Sequence, residues 1–341
     1  MRLDRRAWLA GSAALLAVPA QAATGAGAKP PRLRAGDTVG LIEPAGFTDD
    51  AFDLDIVKET IVAMGLKPKA APHLAGRYGY LAGSDRDRAA DVNAMFADPD
   101  VRAVFAVRGG WGCARILPLL DFAMIRRNPK LLIGFSDITA LHLAFAAKAG
   151  FTTIHGPNAA SSWGQYSWDA FRAVAFDGAT PTLVNPPAHE DRLVQRAGRT
   201  RTIRSGIARG RLLGGNLTVL STLMGTPWLP DLTGAILFVE DVGEQPYRID
   251  RMLTQLSLAG VLGRLKGVVF GQCTDCGPAG PSYGGFTLSE VLQQHLEPLG
   301  VPAFQGGQFG HVANQYSLPL GIEAEIDAAA GTIRLLEPAV A

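Results

Sequence analysis

Short apolar runs alternate with helical spacing along the first half of the chain. Three runs have the length and composition of strands buried in a parallel sheet: 38–43, 101–107 and 131–133. Two stretches between them repeat apolar residues at helical spacing, 51–64 and 84–96. In the first helix, the side chains predicted to face inward are Phe52, Ile56, Ile61 and Met64. The alternation predicts parallel β-α units, whose ligand sites lie beyond the carboxyl ends of the strands.

The second half resumes this alternation after an interruption. Between 179 and 208 the periodicity is lost among prolines and arginines, which predicts a linker. Strands are then expected at 235–239, 266–270, 323–326 and 332–336, and helices at 247–258 and 288–296. The chain is therefore expected to form an N-terminal α/β domain over 30–178 and a C-terminal domain over 209–341.

The first 23 residues are predicted to be a targeting signal and not part of the fold. Arg2, Arg5 and Arg6 precede an apolar stretch that is too short to span a bilayer, and a small-x-small cleavage site ends at Ala22. The adjacent arginines resemble the twin-arginine type of signal. We expect a periplasmic protein that is cleaved near Ala22 and has no membrane anchor.

Charge and cysteine content narrow the functional classes. The chain carries 32 Lys+Arg and 31 Asp+Glu, so no broad basic face is expected and nucleic acid is an unfavoured partner. Cys113, Cys273 and Cys276 are too few for a disulfide framework, and further ligands for a metal are not spaced near the Cys-x-x-Cys pair. Cys273 and Cys276 are predicted to form a disulfide or to remain free thiols.

Ser136 lies at a predicted strand-to-helix turn. The strand ends at Ile133, and apolar residues recur at helical spacing from Ile138 onward. Such a turn exposes a hydroxyl at the carboxyl end of a strand and leaves a backbone N–H for an oxyanion, as a nucleophile requires. The alternative is that Ser136 and Asp137 only cap the following helix. It stays open because Ile138 stands where the G-x-S-x-G elbow of the hydrolases has glycine.

A nucleophilic serine needs a base, and His311 is the best candidate among six histidines. Small neighbours in its loop let the backbone approach another surface closely. His142 follows Ser136 by six residues on the helix, about 9 Å by helical rise, which is too far for a hydrogen bond. His155 ends a strand-like segment and is a candidate for the wall of the site.

The acid that orients the base has several candidates. Glu240 and Asp241 end an apolar strand, and Glu244 follows closely. The alternative is that Glu240 caps its strand or pairs with Arg248 or Arg251.

Seven ordered segments together resemble the LD-carboxypeptidase family of serine peptidases, S66. They are Tyr-Leu-Ala-Gly at 80–83, Arg-Gly-Gly-Trp-Gly at 108–112, Gly-Phe-Ser-Asp at 134–137, His-Gly-Pro at 155–157, Gly-Gly-Asn-Leu at 214–217, Glu-Asp at 240–241 with Tyr-Arg-Ile-Asp-Arg-Met-Leu at 247–253, and Phe-Gly-His at 309–311 with Leu-Pro-Leu-Gly at 318–321. The resemblance implies a Rossmann- or flavodoxin-like N-terminal domain, a smaller β-barrel-like C-terminal α/β domain, and an active site in the cleft between them.

The implied activity is removal of the terminal D-alanine from an L,D bond in peptidoglycan tetrapeptide stems. The family triad maps onto Ser136, Glu240 and His311, and the oxyanion donors map onto the backbone N–H groups of Gly110 and Asp137. No metal or organic cofactor is implied. The partner is a peptidoglycan tetrapeptide or muropeptide, and homodimer formation, frequent in the family, stays open.

The substrate contacts are less defined by the resemblance. The candidates are Arg108, Trp111, His155 and Arg248, and the clamp for the free carboxylate is left open among Arg108, Arg115 and Arg248. One departure is Glu-Pro-Ala at 43–45, where the family more often has Ala-Pro-Ser. Two other functions remain to be tested: hydrolysis of peptide-nucleotide antibiotics, as in microcin-immunity members, and solute binding without catalysis.

Overall fold

Two β-sheets organise the protein, and the chain passes from the first to the second and back. The structure is a computed structural model that describes residues 29–187, 190–191, 193–195, 198–277 and 285–341. The predicted signal peptide lies outside the described residues. In the described part of the chain, no helix has both the length and the apolar character needed to cross a membrane.

The strands of the described residues are β1 (Thr38–Ile42), β2 (Lys67–Ala70), β3 (Val101–Ala106), β4 (Leu131–Gly134), β5 (Thr153–His155), β6 (Thr182–Leu183), β7 (Arg201–Arg204), β8 (Ile207–Asn216), β9 (Ile236–Val242), β10 (Gly267–Thr274), β11 (Ala303–Gln305), β12 (Leu318–Leu320), β13 (Glu323–Asp327) and β14 (Thr332–Leu335). The α-helices are α1 (Ala51–Ala63), α2 (Asp85–Ala97), α3 (Cys113–Ile116), α4 (Phe122–Arg127), α5 (Thr139–Lys148), α6 (Gln165–Ala175), α7 (Leu217–Thr222), α8 (Pro246–Leu258) and α9 (Leu288–Leu296).

The first sheet has the order β12-β5-β4-β3-β1-β2, and all of its pairings are parallel except that of β12 with β5. The predicted β-α alternation is confirmed here, because apolar strands such as β4 are buried along their whole length. From β1 the chain first adds β2 on one side and then β3, β4 and β5 on the other, so the strand order reverses between β1 and β3. A crevice at such a switch point is the usual ligand site of an open parallel sheet.

The second sheet has the order β6-β14-β13-β8-β9-β10-β11-β7. Its centre, from β8 to β11, is parallel, and its outer strands pair antiparallel. The prediction of a linker over 179–208 is wrong in part, because β6 and β7 lie in that segment and form both edges of the sheet. Edge strands need no continuous apolar run, and Arg201–Arg204 is mostly exposed.

The division at residue 209 is also corrected by β12. This strand pairs antiparallel with β5 and so returns from the second domain to the first sheet. The two sheets are therefore joined by more than one crossing of the chain, close to the loop that carries His311.

The predicted inward face of α1 is confirmed at Ile61 and Met64 and wrong at Phe52 and Ile56. The residues of α1 that are buried are Leu54, Val57 and Ile61. Phe52 is 67% exposed and Ile56 is 44% exposed, whereas Met64, just after the helix, is buried as expected. The stripe of α1 that packs on the sheet is formed by Leu54, Val57 and Ile61. Ile56 lies outside this stripe and lines a surface crevice.

A buried hydrogen bond joins the two domains. The N–H of Asn216 donates to Thr139 Oγ1 at 2.9 Å, which links the end of β8 to the start of α5. Gly215 has a positive φ of 139°, and a side chain there would overlap Thr139. The pair of glycines before Asn216 thus permits close docking of the two domains.

Candidate active site

Ser136 lies in a sharp turn between β4 and α5. Its φ of 65° is left-handed, a backbone conformation that serine rarely adopts. Asn158 Oδ1 accepts a hydrogen bond from Phe135 N–H at 3.1 Å, and a Cβ on Gly134 would lie 2.7 Å from that same oxygen. The expected strand-to-helix turn is confirmed, and Gly134 and Asn158 hold it.

Ser136, His311 and Glu240 form a hydrogen-bonded chain. His311 Nε2 lies 3.0 Å from Ser136 Oγ, and His311 Nδ1 lies 2.9 Å from Glu240 Oε2. Glu240 is fully buried and is therefore held in place by packing, whereas the His311 side chain is partly exposed. If the proton on Nδ1 is donated to Glu240, Nε2 is free to accept the serine proton. This arrangement can activate a hydroxyl for attack on a carbonyl.

The structure also separates the three candidate acids. Asp241 accepts hydrogen bonds from Asn216 Nδ2 and from the N–H and hydroxyl of Thr218, at 2.9–3.1 Å. Glu244 lies 3.7 Å from Arg248. Of these three, Glu240 is the one that hydrogen-bonds His311. Alternate side chains of β9 point to opposite faces of the sheet, which turns Asp241 away, and Glu244 lies beyond the end of the strand.

The loop of His311 is braced by groups that the sequence did not single out. Thr274 Oγ1 donates to the carbonyl of His311 at 2.7 Å. The ring of Phe135 packs against the imidazole with 4.9 Å between centroids. Gly310 has a φ of 104°, and a Cβ there would lie 2.6 Å from Glu240 Oε2. Glycine at 310 therefore allows the close approach of His311 to Glu240.

The turn after β3 lies directly against the serine. A Cβ on Gly109 would be 2.9 Å from Ser136 Cβ and 3.4 Å from the backbone nitrogen of Asp137. The Asp137 side chain is buried and accepts a hydrogen bond from Cys113 N at 2.7 Å. Asp137 thus caps α3 and not its own helix, so it connects the turn that contains Gly110 to the turn that contains Ser136. Burial raises the pKa of Asp137.

Arg88 also connects the loops around the site, and the sequence pattern did not identify it. Its guanidinium is buried and donates to the backbone carbonyls of Pro44, Gly83 and Gly112. A signal was available, since an arginine occupies a position of α2 one helical turn before the buried Val92. These bonds fix the loops after β1 and β3 relative to each other.

Glu43 is a buried carboxyl at the end of β1. It accepts a hydrogen bond from the Thr48 hydroxyl, and its Oε2 has no partner among the described residues. Burial raises the pKa of Glu43 to about 7, although the Thr48 hydrogen bond and the positive charge of Arg108 oppose the shift. The position of Glu43 directly after a buried strand is the same signal that identified Glu240.

The four candidates for substrate contacts lie in three different places. Arg108 and Trp111 are exposed in the turn beside Ser136. Arg248 is exposed on α8, where it contacts Glu244 and Tyr247. The expectation for His155 is wrong, because it is fully buried among Phe135, Phe238 and Phe309. Burial also lowers its pKa well below the ordinary value, so it is a neutral packing residue behind the site.

Two other cysteine and histidine predictions are settled by the structure. Cys273 and Cys276 form a disulfide next to Thr274. His142 is buried and contacts Thr153 Oγ1 and the carbonyl of Gly134, so its ring nitrogens are engaged away from Ser136. Within the described ranges, no group of three or more histidine, cysteine or acidic side chains is arranged to hold a metal ion.

Two family models match the chain, one for each domain. Residues 39–156 match the LD-carboxypeptidase N-terminal domain, and residues 209–326 match the LD-carboxypeptidase C-terminal domain. The chain belongs to the LD-carboxypeptidase family. It is therefore a peptidase of the serine type S66, with the two-domain α/β fold that the resemblance implied.

Relatives of this family align along nearly the whole chain. A putative carboxypeptidase of Streptomyces coelicolor is 40% identical, over 92% of this chain and 97% of the relative. The probable murein peptide carboxypeptidase of Bacillus subtilis is 36% identical, over 89% of this chain and 93% of the relative.

Solved structures of the LD-carboxypeptidase fold agree with both domains. The muramoyltetrapeptide carboxypeptidase from Oxalobacter formigenes has a TM-score of 0.74 at 30% identity, covering 87% of this chain and 97% of that one. The Microcin C7 self-immunity protein MccF has a TM-score of 0.82 at 23% identity, covering 92% and 100%. The second likeness shows the fold alone.

Proposed function

We propose that this protein is a serine carboxypeptidase that hydrolyses the L,D-peptide bond to the terminal D-alanine of peptidoglycan tetrapeptide stems. The observation that carries the proposal is the hydrogen-bonded chain from Ser136 through His311 to Glu240. Relatives named for murein peptides and muramoyltetrapeptides support the substrate class.

In the acylation step, Ser136 Oγ attacks the carbonyl carbon of the L-centre that precedes the D-alanine. His311 Nε2 takes the serine proton, and Glu240 stabilises the resulting imidazolium. The carbonyl oxygen becomes an oxyanion that accepts hydrogen bonds from Gly110 N–H and Asp137 N–H. Each such donor contributes about 3–4 kcal/mol in hydrolases where it has been removed.

Collapse of this intermediate breaks the C–N bond. His311 returns its proton to the leaving nitrogen, so D-alanine departs as a free amine and the shortened stem remains as an ester on Ser136. A water molecule, deprotonated by His311, then attacks the ester carbonyl. The ester bond breaks, Ser136 recovers its proton, and the tripeptide stem leaves with a new carboxylate.

The test is a comparison of matched peptides. The purified protein is incubated with a tetrapeptide stem that ends in D-alanine and with the same peptide ending in L-alanine, and the released amino acid is quantified. We expect release from the first peptide and at least about 100-fold slower release from the second. Equal release from both, or release from neither, contradicts the proposal.

Hydrolysis of a peptidyl nucleotide is the second candidate, because the Microcin C7 self-immunity protein MccF of Escherichia coli is 29% identical over 73% of this chain. It predicts turnover of a peptidyl nucleotide and no release of D-alanine from the tetrapeptide. A solute-binding protein without catalysis predicts neither reaction and no labelling of Ser136 by a fluorophosphonate. Labelling of Ser136 together with D-alanine release excludes both alternatives.

We also propose that the protein acts in the periplasm. The basis is the sequence of the first 23 residues, with paired arginines, a short apolar stretch and a cleavage site near Ala22. Fractionation of cells that express the tagged full chain, with and without substitution of Arg5 and Arg6 by lysine, tests this. We expect processed protein in the periplasm of cells that express the wild type and none in the periplasm of cells that express the double variant.

A further inference from the structure

A cavity of about 420 Å³ opens beside the nucleophile turn, at the switch point of the first sheet. Arg108 and Phe135 line it, and these residues directly precede Gly109 and Ser136 along the chain. The opposite wall is α1, which contributes Asp53, Ile56 and Val57 among others. The cavity therefore lies next to two turns, the one that carries Ser136 and the one that carries Gly109 and Gly110.

A carboxypeptidase must bind a free carboxylate close to the bond that it cleaves. The carboxylate carbon of the last residue follows the scissile carbonyl carbon by three covalent bonds, so the two carbons lie within about 4 Å. The group that binds it must therefore lie next to the oxyanion donors. A guanidinium suits this task because its donors match a carboxylate in a bidentate pair.

Of the three candidate arginines, two are engaged elsewhere. Arg115 forms a bidentate pair with Asp85 at 2.9–3.1 Å. Arg248 lies on the second domain against Glu244 and Tyr247.

Arg108 differs from both in position and in partners. Its Nη1 donates to the carbonyl of Phe47 at 2.8 Å, and no carboxylate of the described residues lies within 4 Å of its guanidinium. A Cβ on Gly46 would lie 3.7 Å from Arg108 Nε and 3.8 Å from Gly110 Cα. The guanidinium is thus beside the oxyanion turn and has donors to spare.

We propose that Arg108 binds the free carboxylate of the departing C-terminal D-residue and that the adjoining cavity receives that residue's side chain. This inference rests on the proposed function. The side chain of alanine is one methyl group, whereas the cavity has more than ten times the roughly 30 Å³ share of a water molecule. The site therefore accepts D-residues larger than alanine.

Charges around the cavity define which D-residues fit. Ile56, Val57, Val107 and Phe135 offer apolar contacts, and Asp53 is the acidic side chain of the lining. Neutral and basic D-side chains are therefore accepted, and acidic ones are repelled by Asp53.

The experiment uses a tetrapeptide that ends in D-alanine and its C-terminal amide, which removes the negative charge. Wild type, Arg108→Gln, Arg108→Lys and the control Arg102→Gln are compared. Arg102 lies near the start of β3, at the end of the strand opposite to the turn that carries Arg108. We expect wild type and Arg102→Gln to prefer the acid over the amide by roughly 100-fold in kcat/KM. Arg108→Gln is expected to lose this preference, and Arg108→Lys to retain part of it. Thermal melting checks that each variant is folded.

A folded Arg108→Gln variant that keeps the full preference overturns the inference but leaves the proposed function intact. A wild type that releases no D-alanine overturns both. The cavity is tested with tetrapeptides ending in D-leucine and D-glutamate. D-leucine release within about tenfold of D-alanine, with slower D-glutamate release, is expected; rejection of D-leucine overturns the assignment of the cavity.

Discussion

His311 Nε2 lies 3.0 Å from Ser136 Oγ, although the two residues are 175 positions apart and follow strands of different sheets, β11 and β4. The site therefore exists only while the two domains are docked. Thr139 and Asn216 supply a buried hydrogen bond at this junction, next to the first turn of the helix that follows the serine.

Replacement of Thr139 by valine keeps the shape of the side chain and removes the acceptor for Asn216 N–H. A buried unpaired donor costs about 1–3 kcal/mol, so we expect the free energy of unfolding to fall by that amount and kcat to fall with it. Urea unfolding and steady-state kinetics measure both. Thr222→Val is the control, since its hydroxyl bonds only within α7; equal effects of the two substitutions would contradict the role of the junction.

Gly109→Ala tests the close approach of the oxyanion turn to the serine. The added Cβ would lie 2.9 Å from Ser136 Cβ, which forces the turn away from the nucleophile. We expect kcat/KM to fall at least about 100-fold, with a loss of roughly 1–3 kcal/mol in stability. Gly263→Ala is the matched control because its Cβ would meet nothing within 4 Å. Normal activity in Gly109→Ala would rule out the proposed oxyanion donors.

Glu43 makes the stability of the fold depend on pH. Burial raises the pKa of Glu43 in the folded protein to about 7 from its ordinary value of 4.5, so the folded state disfavours ionisation. The contribution of Glu43 to the free energy of unfolding is therefore fully present below pH 4.5. It is lost as the pH rises through about 7, which lowers the free energy of unfolding by about 3 kcal/mol. We expect Glu43→Gln to be more stable than wild type at pH 8 and similar at pH 4.5, by urea unfolding. The same difference at both pH values would refute this account.

Thr274 is predicted to position the base. Its hydroxyl bonds the carbonyl of His311, so Thr274→Val should let the loop move and lower kcat by roughly 3- to 10-fold with little change in KM. Thr274→Ser retains the hydroxyl and should keep most of the activity. The prediction fails if valine and serine at this position give the same kcat.

Much of the site could be predicted because its residues end buried parallel strands. Ser136, Glu240 and the turn after β3 all follow apolar runs, and the carboxyl ends of such strands meet at one edge. Patterns of single strands do not encode which side chain of a neighbouring pair points to the site. The family resemblance pointed to Glu240, and the structure supplies the physical reason, because Asn216 and Thr218 engage the Asp241 side chain.

The errors have the same origin in tertiary contacts. His155 ends a strand like the functional residues, but the return of β12 and the aromatic rings around it bury it completely. The strands β6 and β7 were missed because an edge strand is stabilised by its partner and not by its own apolar pattern. The face of α1 was misread because Phe52 and Ile56 are apolar but not packed on the sheet.

The most direct test of the central proposal is D-alanine release from a purified disaccharide tetrapeptide by wild type and by Ser136→Ala. The released D-alanine is quantified with a D-amino acid oxidase, and the remaining muropeptide is identified by mass spectrometry. We predict a disaccharide tripeptide product and at least about a 10,000-fold loss of rate in Ser136→Ala. Release of D-alanine by Ser136→Ala at the wild-type rate would contradict the assignment of Ser136 as the nucleophile.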